Sequence, residues 1–84
     1  MNDWRLQGQE KYLKGLPLVK KRYEKYRDGW DHDHCEFCWR KFSERAEDLN
    51  VGYATDDNYH WICEQCFIDF NNMFQWKVLP STTY

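Results

Sequence analysis

Four cysteines are the residues of this chain whose spacing points most directly to chemistry. They form two pairs, Cys35-Glu36-Phe37-Cys38 and Cys63-Glu64-Gln65-Cys66, with residues 39–62 between them. A spacing of two residues lets both thiolates of a pair converge on one tetrahedral ion, with metal–sulfur bonds of about 2.3 Å. Two such pairs complete a four-sulfur shell, so the sequence predicts one Zn²⁺ ion per chain, bound by Cys35, Cys38, Cys63 and Cys66.

Other four-cysteine chemistries agree less well with this pattern. Two disulfides would suit an exported chain, but no basic stretch followed by an apolar core is visible at the N-terminus, so we expect reduced thiols. A thioredoxin-like redox site needs only one pair and a larger α/β frame around it. Iron bound as in rubredoxin would use the same four sulfurs, so the ligands alone leave zinc and iron open. Iron–sulfur clusters usually show different spacings.

Length and composition favour one small domain. The chain has 84 residues, 42% of them apolar and 31% charged, with a formal net charge of −2. No apolar run approaches the roughly 20 residues of a membrane span. A core this small gains from a structural zinc ion, which would add about 10–16 kcal/mol to the free energy of folding. We therefore expect a single domain over 1–84 in a cytoplasmic, monomeric protein without a membrane partner.

Charge is distributed unevenly along the chain. Residues 1–30 carry eight basic and four acidic side chains, whereas residues 31–84 carry four basic and ten acidic ones. Such asymmetry lets the two parts attract each other or lets the first part meet an anionic partner. The predicted organisation is a basic, aromatic N-terminal segment (1–30) that covers a zinc module (31–79).

The N-terminal segment favours helices on either side of one proline. Residues 3–14 are compatible with a short helix that has a polar N-cap at position 2 or 3 and ends at Gly15. Leu16 should be extended because Pro17 follows it. Over residues 18–27 the apolar spacing favours a helix, and a strand leading into the metal site stays open. The apolar residues with this helical spacing are Val19, Tyr23, Tyr26 and Trp30.

Residues 39–62 change from helical to strand spacing. Apolar residues recur at helical intervals over residues 39–49, which predicts a short helix or helical turn there. Residues 51–55 and 59–62 predict two strands that are joined by Asp56-Asp57-Asn58, three good turn formers.

Helical spacing returns at Cys63, which predicts a final helix that ends near Leu79 because Pro80 follows, with a frayed tail to residue 84. A first cysteine knuckle (residues 35–38), a hairpin and a helix that opens on the second pair resemble the treble-clef zinc finger over residues 33–79. In that family the last two ligands lie at a helix N-terminus, where the dipole and free N–H groups favour thiolates. The resemblance implies a small α+β fold, stabilised by zinc, with a helical or extended N-terminal segment.

The zinc ribbon, in which a strand follows the second cysteine pair, is the alternative fold. The chain also departs from the usual treble-clef knuckle, because Trp39 follows Cys38 where glycine is common. The wider sequence from His32 to Phe67 resembles short bacterial proteins of uncharacterised function. That resemblance implies zinc binding and nothing about a substrate.

Three histidines, His32, His34 and His60, lie near the predicted metal in sequence. Because four thiolates already fill the shell, we expect these imidazoles to hydrogen-bond to sulfur or carboxylate groups around it. The alternatives are a second metal site and a histidine that replaces one of the cysteine ligands. On a strand, Asp31-His32-Asp33-His34 would place both histidines on one face and both aspartates on the other.

An enzymatic function is not expected from these residues. HNH nucleases are treble-clef enzymes whose histidine base and metal ligands lie between or after the cysteine pairs. In this chain the Asp-His pairs precede the first cysteine pair, and the final helix offers Asp69, Asn71 and Asn72 but no histidine. The sequence shows neither a glycine-rich phosphate loop nor an H-E-x-x-H motif. A small nuclease-like or redox enzyme is therefore the third alternative.

A basic patch and the aromatic residues bear on the partner. The patch comprises Lys20, Lys21, Arg22, Lys25 and Arg27. The sequence pI of about 5.9 lies well below the value above about 9 that is typical of duplex-binding domains. We expect a solvated face there and a non-catalytic adaptor or protein-interaction module overall. A nucleic-acid-binding zinc finger that uses residues 20–27 is the second alternative.

Most aromatic side chains are expected in the core, and a few could anchor a protein partner. The expected core aromatics surround the cysteine pairs and are Trp30, Phe37, Trp39, Phe42, Trp61, Phe67, Phe70 and Phe74. The expected exposed anchors are Trp4, Trp76 and Tyr84.

Overall fold

A computed structural model describes residues 3–25 and 29–80. Its strands form a four-stranded sheet of order β5-β4-β1-β6 and a two-stranded sheet of β2 and β3. This is a small mixed α+β fold, as predicted. The elements in chain order are α1 (Glu10–Leu13), β1 (Pro17–Arg22), β2 (His32–His34), β3 (Lys41–Ser43), β4 (Val51–Thr55), β5 (Trp61–Ile62), α2 (Glu64–Phe74) and β6 (Lys77–Leu79).

The larger sheet places the N-terminal segment at the centre of the molecule. Strand β1 pairs antiparallel with β4 on one side and parallel with β6 on the other. Strand β5 continues the sheet beyond β4 and leads directly into α2. Helix α2 packs on this sheet through Phe67, whose ring stacks on Tyr53 of β4 at a centroid distance of 3.8 Å. The sheet therefore positions the start of α2, where the second cysteine pair lies.

The predicted helix over residues 18–27 is wrong, because residues 17–22 form β1 instead. The two neighbouring strands supply hydrogen-bond partners on both edges of this segment, which an isolated short helix could not match. Residues 26 and 27 of that prediction lie outside the described residues. The predicted helix over residues 3–14 is shortened to α1, since Gly8 adopts a left-handed φ of 88° before it.

Residues 39–49 also differ from the prediction, since they form β3 and turns rather than a helix. The reason is the knuckle, which closes a hairpin between β2 and β3: the Cys35 N–H donates to the Arg40 carbonyl at 2.8 Å. The predicted hairpin of residues 51–62 is confirmed as β4 and β5, although β5 covers only Trp61–Ile62 of the predicted strand 59–62.

The final helix is confirmed at its start but ends earlier than predicted. Gln75 adopts a left-handed φ of 55° and its N–H donates to the Asn71 carbonyl, which ends α2 at Phe74. Residues 77–79 then pair with β1 as β6 instead of continuing the helix. Pro80 is described, whereas the rest of the predicted tail, residues 81–84, lies outside the described residues.

Among the described residues, aromatic side chains supply half of the buried hydrophobic core, seven of fourteen residues, and three tryptophans differ from the prediction. Trp61 packs against both Tyr23 and Phe42, with ring centroids 4.8 and 5.3 Å away, and those two rings stack on each other at 6.2 Å. Trp30, expected in the core, is half-buried and lies outside the core cluster. Trp39, expected in the core, is 59% exposed. Trp76, expected at the surface, is buried and donates its indole N–H to the Leu13 carbonyl. Within the described ranges, neither helix is long and apolar enough to cross a membrane.

Candidate metal centre

The four cysteine sulfurs meet at the junction of the two sheets. All four Sγ atoms lie within 4.8 Å of one another. Cys35, Cys63 and Cys66 are buried and Cys38 is half-buried, and all four are free thiols. Cys35 follows β2 directly, whereas Cys63 is the N-cap of α2 and Cys66 lies in its first turn. The fold thus brings together the two pairs that are separated in sequence.

The knuckle around the first pair is a tight turn with one unusual residue. The Trp39 N–H donates to the Cys35 carbonyl at 3.1 Å, which folds residues 35–39 around the first two sulfurs. Trp39 itself adopts a left-handed φ of 69°. This is the position where a glycine is common in such knuckles, and the tryptophan takes the conformation that glycine would adopt more easily.

Backbone N–H groups point at the sulfurs. The N–H groups of Phe37 and Cys63 both lie 3.4 Å from the Cys35 sulfur, and the Cys66 N–H lies 3.4 Å from the Cys63 sulfur. The last of these bonds caps the N-terminus of α2, where the helix dipole also favours negative charge. This environment stabilises thiolates, which are the form of cysteine that binds metal.

The sulfur positions agree with a tetrahedral four-sulfur site. Metal–sulfur bonds of about 2.3 Å at tetrahedral angles give sulfur–sulfur separations of about 3.8 Å. The Cys38 and Cys63 sulfurs are 3.6 Å apart, much farther than the bonded distance of about 2.0 Å in a disulfide. Hydrogen bonds with Cys35 and Cys66 lower the pKa of the Cys63 thiol, whereas hydrogen bonds with Cys35 and Cys63, together with burial, raise the pKa of Cys66.

A cationic side chain that sequence reasoning missed also contacts the cluster. The Arg5 guanidinium lies 3.6 Å from the Cys66 sulfur through Nη1 and 2.8 Å from Asp69 on α2. It also pairs with Asp3 and lies over the Phe70 ring, 4.5 Å from its centroid. Hydrogen bonds from Arg5 lower the pKa of Asp3 to about 2. Arg5 thus brings positive charge to a group of thiolates and ties residues 3–5 to α2.

The three histidines contact carboxylates and aromatic rings. His60 Nδ1 lies 2.8 Å from Glu36, which the Tyr12 hydroxyl also reaches at 3.1 Å. His32 Nδ1 lies 3.0 Å from Asp31, and the His34 ring packs against His32 and Trp39. Among the described residues, no hydrogen bond joins a histidine to a cysteine sulfur.

The structure does not present Lys20 and Lys21 as one basic surface. Lys20 pairs with Glu64 at 3.0 Å and lies near the Tyr53 ring, whereas Lys21 bonds to Asn58 and lies near the Trp61 ring. Adjacent residues of a strand point to opposite faces of the sheet, so these two lysines diverge. Arg22 and Lys25 lie at the end of β1 and beyond it, and Arg27 lies outside the described residues.

Comparisons with known proteins found no match among family models, curated proteins or solved structures.

Proposed function

We propose that this chain is a non-catalytic zinc-binding protein, whose single ion holds a treble-clef-like fold together so that its surface can bind another protein. One observation carries the proposal: four cysteine sulfurs from two distant parts of the chain lie within 4.8 Å of one another in a largely buried cluster. Zinc is favoured because a closed shell of four thiolates is one of its usual structural sites. The ion would link residues 35–38 to the start of α2.

The order of elements supports the treble-clef part of the proposal. The knuckle closes the β2–β3 hairpin, the β4–β5 hairpin follows, and α2 begins with the second pair. A zinc ribbon would instead continue from the second pair into a strand, and here an eleven-residue helix follows Cys63. The module would therefore span residues 31–79, with β1 of the N-terminal segment completing its larger sheet.

Two features support a binding role over a catalytic one. A catalytic zinc keeps one coordination position for water or substrate, and four cysteine ligands would fill every position. In addition, large aromatic side chains are exposed, among them Trp4 at 65% and Trp39 at 59%. Exposed tryptophans are frequent anchors of protein–protein interfaces.

Metal analysis of the purified, reduced protein tests the zinc site directly. We expect one zinc and no iron per chain, and loss of that zinc when Cys35 or Cys66 is replaced by serine. Replacing His32, His34 or His60 by alanine is the matched control and should leave one zinc bound. A metal-free protein, an iron protein, or metal loss from one of these histidine variants would contradict the proposed shell.

Chelation under reducing conditions tests the structural role of the ion. Removal of zinc by EDTA should collapse the amide dispersion of the NMR spectrum and shift the emission of the buried Trp61 to the red. A thiol reductant must be present, because disulfides formed during the experiment could mimic a folded state. An unchanged spectrum in the chelated, reduced protein would show that the aromatic core is sufficient without metal.

A further inference from the structure

A cleft of about 380 Å³ opens beside β2, outside the cysteine cluster. Its walls come from three parts of the chain: the residues around β2, the knuckle, and the turn between β4 and β5. Three of the lining side chains are large aromatics, namely Trp30, Trp39 and Tyr59. None of the four cysteines lines this cleft.

The aromatic walls are arranged around open space. The Trp30 and Tyr59 rings lie 5.8 Å apart, and the Trp39 ring, which also lines the cleft, lies 6.3 Å from the His34 ring. Trp39 and Tyr59 are 59% and 49% exposed, so both rings offer faces to a ligand. A large side chain in left-handed backbone is uncommon, and at Trp39 this conformation holds an indole at the surface instead of in the core.

The charge of the cleft is acidic. Asp31, Asp33 and Glu36 line it together with His32 and His34, and no lysine or arginine is among its described lining residues. Asp31 and Glu36 each have a histidine partner, His32 at 3.0 Å and His60 at 2.8 Å. Asp33 is held in place because the Trp30 indole N–H and the Tyr23 hydroxyl both donate to it, at 3.1 and 2.9 Å. Carboxylates beside exposed aromatic faces form the usual environment for an organic cation, which gains from both the charge and the ring quadrupoles.

We infer that this cleft binds the cationic side chain of a lysine or arginine presented by a protein partner. That the cation belongs to a protein rests on the proposed role in protein binding. That the ligand is a cation rests on the residues that line the cleft. The exposed Trp39 and Tyr59 rings suit an alkyl-ammonium or guanidinium group better than a hydrated metal ion, which prefers a shell of oxygen ligands.

An NMR titration of the ¹⁵N-labelled, zinc-loaded protein tests this inference. The probes are Nα-acetyl-arginine amide and Nα-acetyl-lysine amide, which keep the side-chain charge. The controls are the corresponding citrulline and norleucine amides, whose side chains are neutral. We expect saturable shifts of the Trp30 and Trp39 indole signals, with a dissociation constant on the order of 10 mM for a single side chain. Chloride must be held constant, since exposed charges are screened by salt. The neutral analogues should cause no saturable shift.

Three variants connect the binding to the cleft. Trp39→Gly removes an aromatic face and Asp31→Asn removes a charge, and each should weaken arginine binding by about threefold or more. Ile68→Ala is the control, because it removes an exposed apolar side chain of α2 that does not line the cleft. The dissociation constant of this control variant for the arginine probe should equal that of the wild type.

Several outcomes would overturn the inference. These are equal shifts with the neutral analogues, no saturable shift with either cation, or unchanged binding in Trp39→Gly. Binding of tetramethylammonium without binding of a Gly-Arg-Gly or Gly-Lys-Gly peptide would also overturn it, because the occupant would then be a free organic cation rather than a protein side chain. The same spectra separate this result from a failure of the zinc proposal. A well-dispersed spectrum without shifts would reject the cleft alone, whereas a collapsed spectrum in zinc-loaded protein would reject the zinc fold.

Discussion

Replacing Trp39 by glycine should give a more stable protein than replacing it by alanine. Both variants lose the same indole, so the difference between them isolates the left-handed backbone at this position, where φ is 69°. A residue with a Cβ atom pays about 1–2 kcal/mol for left-handed backbone. Glycine avoids that cost but loses about 0.5–1 kcal/mol more conformational entropy on folding. The balance leaves Trp39→Gly more stable than Trp39→Ala by about 0.5–1 kcal/mol.

Urea denaturation of the two zinc-loaded variants measures this difference. The free zinc concentration must be identical in both, since a ligand that binds only the folded state adds to its stability. In thermal melts, 1 kcal/mol corresponds to a midpoint difference of about 4–8 °C for a domain of this size. An alanine variant as stable as the glycine variant, or more stable, would refute the left-handed knuckle. It would also remove the structural reason for the exposure of the Trp39 ring.

Three further predictions concern the sheet, the arginine and the thiolates. Gly52→Ala places a Cβ 2.6 Å from the buried Phe42 ring, which should cost about 1–3 kcal/mol in urea denaturation; unchanged stability would contradict this packing. Arg5→Ala should speed zinc transfer to a chelator by about fivefold, because the hydrogen bond from Arg5 to the Cys66 sulfur is lost. Arg45→Ala is the control: it breaks only an exposed ion pair with Glu47 and should leave the transfer rate unchanged. Apparent zinc affinity should fall as the pH decreases below about 8.5, the pKa of cysteine in an unfolded chain, because protons then compete with zinc for the thiolates. A constant affinity from pH 8 to pH 5 would refute thiolate ligation.

Local signals account for the parts of the fold that were predicted correctly. The spacing within each cysteine pair depends on neighbouring residues only, and the turn at residues 56–58 is specified by its own side chains. The start of α2 is also local, since Cys63 caps the helix through its own sulfur. Each of these features needs only a few consecutive residues, which a sequence shows directly.

The strands that were missed depend on pairing with distant residues. Val19 and Tyr23 are four positions apart, and an interval of four satisfies both the helical period and the two-residue period of a strand. The interval therefore could not distinguish the two structures, and pairing of β1 with residues 51–55 and 77–79 decided between them. Strand β3 likewise forms because the knuckle turns the chain back onto β2.

The surroundings of the candidate metal site were harder to predict than its cysteines. Arg5 contacts a sulfur 61 positions later in the chain, and no motif marks such a residue in advance. Trp39 was assigned to the core because most tryptophans in a small aromatic-rich chain are buried there. Its position directly after Cys38, where a knuckle favours left-handed backbone, was the available signal that its ring would be directed elsewhere.

The positions of the walls make the cleft dependent on the proposed zinc ion. Asp31 directly precedes β2 and Trp39 directly follows the knuckle, whereas Tyr59 belongs to the turn between β4 and β5. A two-stranded sheet is marginal by itself. Within residues 3–25 and 29–80, few backbone hydrogen bonds join it to the larger sheet, one of them from the Glu36 N–H to the Trp61 carbonyl at 2.9 Å. An ion that joins the knuckle to the start of α2 would fix the distance between these walls. Zinc removal should therefore abolish cation binding, even though no cysteine lines the cleft.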